Sequence, residues 1–181
     1  GIPGQEYFAG THVNPRVTWW SKSAPFIDYM HRVQMLAQEG TFVADILYYY
    51  GDHVPNVYPF KHSDMPGAMF GFDYDVTDEN ILMKLGVEDG DIVVPGGRRY
   101  KVLVLPDHRV LSLPVLKKLE MLVKEGASVL GPKPQKAVSL SGGEKGVTEF
   151  KELADLLWGT TTGTTGQNQY GKGIVSWGIS A

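Results

Sequence analysis

The sequence predicts an α/β fold on a largely parallel sheet, and three observations lead there. From residue 24 onward, segments with apolar residues at three- and four-residue spacing alternate with short apolar runs rich in Val, Ile, Leu and Tyr. Those runs lack the strict in–out alternation of a half-exposed sheet, as expected of strands covered by helices on both faces. Ser, Thr, Asp and Gly fall at the junctions, where helix caps and turns need them.

The first helix begins near Ser23, an N-cap residue, with Pro25 tolerated in its first turn. Phe26, Ile27, Met30, Val33 and Ala37 form its apolar stripe, and Gly40 stops it. Phe42 to Tyr50 reads as a buried strand, because its β-branched and aromatic content outweighs helix propensity. A long loop rich in Pro, His and Asp spans 51–70, a length typical of functional or partner-facing loops. Phe72 to Val76 is extended, and Thr77 caps a short helix with Asp78 and Glu79 in its positive first turn. Asp91–Val94 and Arg99–Leu105 are two strands joined through Pro95-Gly96-Gly97. Ser112 caps a helix carrying Val115, Leu116, Leu119, Leu122 and Val123 on one face, and Gly126 ends it. Ala127–Leu130 is a strand, Thr148 caps a helix running to Leu157, and Ile174–Trp177 is the last strand. Thr160 to Gly173 is a Gly/Thr-rich, mobile loop. The expected architecture is a flavodoxin-like three-layer sandwich, of the type shared by class I amidotransferases, over residues 23–181.

Residues 1–22 differ in character and form a separate segment. They lack helical periodicity, and Tyr7, Phe8, His12, Asn14, Trp19 and Trp20 crowd into fourteen residues. Such loops more often build binding surfaces than solvent-facing spacers. The chain starts Gly1-Ile2-Pro3-Gly4 and stops just after an expected strand, so both ends read as cuts through a longer protein.

Composition narrows the chemistry. A net charge of −3 offers no basic excess for a phosphate backbone, so nucleic acid is not an expected partner. No apolar run reaches the 18 residues that a membrane helix needs. The absence of cysteine removes disulfides, thiolate metal sites and a Cys nucleophile, and with it amidotransferase activity. There is no Gly-x-Ser-x-Gly elbow either. Gly166 to Gly173 nearly spells a phosphate loop, but Gly173 follows Lys172 where a Ser or Thr would hold Mg²⁺, and a strand follows instead of a helix. Leu140-Ser141-Gly142-Gly143-Glu144 resembles a transporter-ATPase signature and is read as a flexible loop for the same lack of context. Asp52, His53, His62 and Asp64 match no tight zinc spacing and read as solvated loop residues. No metal or cofactor is expected.

Asp73 and Asp75 project to one side of an extended segment and border the following helix, rather than forming an acid/base pair. Glu6, beside Tyr7, Phe8 and His12, is the one carboxylate that stands out as a catalytic candidate. A hydrogen-bonded role orienting a neighbour is equally compatible with its setting. Trp19 and Trp20 on an extended segment would face opposite sides. Core packing is favoured for them over a platform for the C–H faces of a sugar.

Several segments carry a resemblance. Pro3 to Pro15 (PGQEYFAGTHVNP), Thr18-Trp19-Trp20, Tyr29 to Leu36, Gly40, Phe42 to Asp52, Gly71 to Asp75 and Tyr100 to Pro106 resemble the large bacterial α-L-rhamnosidase-type glycoside hydrolases of family 106. The likeness extends to about Gly159 and is most specific in the first fifty residues. It implies that residues 1–22 are the exit of a catalytic barrel's last strands, whose loops build the active site. By that resemblance Glu6, His12, Asn14, Trp19 and Trp20 line or support the sugar cleft. The α/β domain would pack beside the barrel, and the parent would be periplasmic or extracellular. The implied partners are the rest of the parent enzyme, a carbohydrate substrate and, for oligomers, a second copy. The fragment alone is expected to be inactive, since glycoside hydrolysis needs two carboxylates flanking one bond. The residues themselves leave open a stand-alone module that binds a small ligand near 51–75 and 105–111, or an oligomerisation element.

Overall fold

The computed structural model describes residues 13–52, 72–139, 142–160 and 163–179. The chain forms two compact units, residues 1–42 and 43–181.

In the first unit a 3-10 turn, Trp20–Lys22, leads into helix α1, Ala24–Glu39, with Pro in its first turn. The expected stripe is amphipathic as read, yet no residue of α1 is buried.

The second unit begins with β1, Ile46–Tyr49, all four residues buried. The strand is shorter than the sequence suggested, because Phe42 and Val43 are exposed. There follow β2, Tyr74–Thr77; the one-turn α2, Glu79–Leu82; and β3, Gly86–Glu88. Asp78, not Thr77, caps α2, accepting a hydrogen bond from the Ile81 amide at 3.0 Å. Thr77 is held in the sheet instead, its carbonyl accepting from the Tyr50 amide at 2.8 Å. Strands β4, Asp91–Val93, and β5, Arg99–Tyr100, pair antiparallel and with β3 form a three-stranded meander. The single strand expected over Arg99–Leu105 therefore breaks: exposed Lys101 donates its amide to Asp45 at 2.7 Å, and β6, Val102–Val104, joins the main sheet. Next come β7, Val110–Leu111; α3, Leu113–Glu125; β8, Ser128–Leu130; and β9, Lys136–Ala137, which pairs with β7. Helix α3 matches the sequence reading in cap, face and stop.

Helix α4 runs Gly143–Trp158 with its cap at Gly142, six residues before the cap expected at Thr148. Thr148 lies inside it and donates its hydroxyl to the Glu144 carbonyl at 3.0 Å. Burial of Gly146 and Phe150 overrides the poor helix propensity of the glycines there. The segment expected as a mobile loop contains β10, Gly166–Tyr170, antiparallel to β11, Gly173–Trp177. Its Gln and Asn residues hide a strand that sits at a sheet edge and needs no apolar face.

The six-stranded sheet has the order β10-β11-β8-β6-β1-β2, all parallel except β10. Side chains divide by the two-residue period. Leu47, Tyr49, Leu103, Val129 and Val175 face a large core with the buried residues of α2, α3 and α4. Ile46, Tyr48, Val104 and Leu130 form a smaller cluster on the other face, where Tyr48 and Tyr74 meet edge-on at 5.3 Å. Among the described residues of this unit, every helix thus packs on one face of the sheet, whereas the sequence reading expected helices on both faces of a three-layer sandwich. The fold is mixed α/β with a largely parallel sheet.

Candidate functional site

From Asn14 to Ser23 the chain coils rather than extends. Asn14 starts the coil: its side-chain oxygen accepts from the Arg16 amide at 2.9 Å, and its carbonyl accepts from Val17 at 3.3 Å. This is the turn that Asn favours beside Pro. Successive three-residue hydrogen bonds continue through Trp20, Lys22 and Ser23. The extended geometry expected for Trp19 and Trp20 is thereby corrected, because a tight helical turn separates neighbours by about 120° instead of 180°. Their rings lie 6.5 Å apart, tilted at 49°. Trp19 is 41% exposed and Trp20 half-buried, so neither is a core residue. The pair offers an apolar, π-faced surface with free area, the kind that sugar C–H faces pack on. Glu6 and His12 lie outside the described residues. Of the five expected cleft residues, the structure brings Trp19 and Trp20 into ring contact and assigns the side chain of Asn14 to holding the turn.

The second unit has a built feature at the C-terminal ends of β1 and β6. Tyr49 donates its hydroxyl to Asp52, and the other oxygen of Asp52 accepts from the Ser112 amide at 2.5 Å. Ser112 in turn caps α3, accepting from Val115 at 3.3 Å. Burial, and then the bond to Asp52, push the Tyr49 hydroxyl well above the ordinary tyrosine pKa. Gly51 has φ +96°, and a Cβ there would collide with His108 Nε2 and stand 3.0 Å from Pro106. Glycine alone lets the chain turn beneath that imidazole. Sequence reasoning missed this knot, although a Gly-Asp pair directly after an apolar strand was its signal.

Asp75 and Asp73, the two carboxylates singled out along β2, are held in structural hydrogen bonds. Asp75 accepts from the Tyr100 hydroxyl at 2.5 Å and pairs with Arg98 at 3.1 Å, tying β2 to the meander instead of bordering α2. Burial first, and then Asp75, push the Tyr100 hydroxyl up to about 12. Asp73 accepts from the Tyr74 amide at 3.0 Å. The look-alike phosphate loop is the β10–β11 hairpin, whose paired backbone leaves no cradle of free amides. Among the described residues no group of three His, Asp or Glu side chains could hold a metal ion. His53, His62 and Asp64 lie outside them, and Asp52 is engaged as above. No described helix is long and apolar enough to cross a membrane.

The profile of glycoside hydrolase family 106, described as alpha-L-rhamnosidase, matches residues 1–181. A provisionally named beta-glucuronidase of Formosa agariphila is 40% identical over 152 residues, 84% of this chain and 13% of that protein. The structure of a rhamnosidase from Novosphingobium sp. PP1Y superposes with a TM-score of 0.74 at 32% identity, covering 93% of this chain and 16% of that one. The chain thus spans less than a fifth of either relative's length.

Proposed function

The chain belongs to glycoside hydrolase family 106, and from that membership we propose that it is one part of an α-L-rhamnosidase, inactive by itself. The observation that carries this reading is the pairing of a family match over the whole chain with 16% coverage of a rhamnosidase. Glycosidic cleavage needs an acid and a base or nucleophile on opposite sides of one bond. In this reading residues 1–22 are a barrel edge contributing Glu6, His12, Asn14, Trp19 and Trp20 to the cleft, with the indoles as the platform against which a sugar ring rests. The α/β domain packs beside the barrel as an accessory element, in a bacterial enzyme that works in the periplasm or outside the cell.

For the α/β domain we propose a flavodoxin-like winding. Numbered along the chain, its five parallel strands lie in the order second, first, third, fourth, fifth, which supports that assignment. The knot of Gly51, Asp52 and His108 then lies where strand order reverses.

The test is hydrolysis of an aryl α-L-rhamnoside and an aryl β-D-glucuronide by this 181-residue chain and by the longer protein. We expect no turnover from the chain and rhamnoside cleavage by the longer protein. Turnover by the chain alone would overturn the fragment reading. Cleavage of the glucuronide alone would replace the substrate.

A further inference from the structure

Helix α1 is built like the two long helices of the α/β unit but is treated differently. Helix α3 buries Val115, Leu116, Leu119, Leu122 and Val123, and α4 buries Phe150, Ala154, Leu157 and Trp158. Over its 16 residues α1 buries none. At 100° per residue, Phe26, Tyr29, Met30, Val33, Leu36 and Ala37 fall within an arc of about 120°, the width of a core-facing stripe. Asp28, Arg32 and Glu39 lie on the opposite side. Phe26 is 54% exposed, Tyr29 56% and Leu36 69%, with Met30 and Val33 also open. Together these side chains present roughly 400 Å², the size at which an apolar patch marks a contact surface. A lone helix of this length is marginal in water, and most helices owe their stability to packing of such a face. Something must cover it.

We infer that the apolar face of α1 is covered by the part of the parent enzyme that lies outside this chain, as an intramolecular core contact. The inference rests on the fragment reading above. Two observations choose this occupant over a second copy of the chain. The relatives carry more than four-fifths of their length outside the matched part, ample to supply a complementary apolar layer. In addition, α1 directly continues the coil that carries Trp19 and Trp20, which the same reading places at the barrel edge. A barrel strand is followed by a helix whose inner stripe packs on the sheet, and a stripe of this width suits that position.

The test compares hydrogen exchange over residues 24–39 in the 181-residue chain and in the longer protein, with light scattering on both and the double substitution V33E/L36E in each. We expect rapid exchange and a monomer for the chain, and at least hundredfold slower exchange over α1 in the longer protein. The substitutions should lower the Tm of the longer protein by several degrees while leaving the main transition of the chain in place. Slow exchange in the monomeric chain would put the cover inside this chain and overturn the inference. A dimer of the chain that V33E/L36E dissociates would make a second copy the occupant and overturn it equally. Failure is separable from that of the functional reading, because a longer protein that cleaves rhamnosides with α1 still exposed refutes only this contact. Protection without rhamnoside cleavage refutes only the activity.

Discussion

Replacing Asp52 by Ala should unfasten the C-terminal end of β1 from the start of α3. Two donors lose their acceptor: the hydroxyl of Tyr49, a residue only 1% exposed, and the Ser112 amide at 2.5 Å. A buried donor left unpaired costs about 1–3 kcal/mol, so the pair, one deeply and one partly buried, amounts to about 3 kcal/mol. For a chain of this size that corresponds to a fall in Tm of roughly 6–12 °C. Urea unfolding followed by tryptophan fluorescence measures it, since buried Trp158 reports on the same core. Tyr49→Phe alone should cost about 1 kcal/mol, and the double variant should fall short of the summed losses by at least about 1 kcal/mol. A loss below about 1 kcal/mol for Asp52→Ala, or strict additivity with Tyr49→Phe, would refute the claim that this carboxylate holds the two elements together.

Tyr100, held up to about 12 by burial and Asp75, should resist ionisation in an alkaline absorbance titration. Its folded value exceeds the unfolded one near 10, so its contribution is complete below pH 10 and is lost between pH 10 and 12; Tyr100→Phe should flatten stability across that window. Lys133 donates to Asp155 at 2.6 Å and to the Gly159 carbonyl at 2.5 Å, closing the end of α4. Lys133→Met should therefore cost about 1–2 kcal/mol in urea unfolding and speed amide exchange over residues 155–160. A Cβ on Gly173 would collide with the carbonyls of Val123 and Ala127 and lie 3.0 Å from the Ala127 amide, so Gly173→Ala should destabilise by more than about 3 kcal/mol, seen as loss of soluble protein. In the longer enzyme, Trp19→Ala should raise KM for an aryl rhamnoside about tenfold with kcat within about twofold, as for lost stacking area.

Helix α3 was fully legible because its determinants are local: a Ser cap, a 3.6-residue stripe and a terminal Gly. Strand β10 was not, because an edge strand needs no apolar face and its Gln-Asn-Gln run looks like a loop. The break at Lys101 was invisible for another reason. The residue leaves one sheet for another to meet Asp45, a partner fifty-six positions away. At the aromatic segment the residue types could be read, but the coil that sets the indole angle depends on backbone hydrogen bonds that composition does not encode. Asp52 was noticed only as a neighbour of His53, since one of its two partners lies sixty residues downstream.

The antiparallel strand β10 also sets an order of events during synthesis. After β6 has joined beside β1, strands β8 and β11 each add next to the parallel strand of this sheet made before them, so that edge faces the newest chain. Strand β10 breaks that rule, because it is made before β11, its one neighbour in the sheet. At about 5–20 residues per second it waits on the order of a second for its partner. Through that interval the open edge is β8, an apolar Ser-Val-Leu strand. The Gly166–Trp177 hairpin then closes it in one step and leaves a polar border in its place.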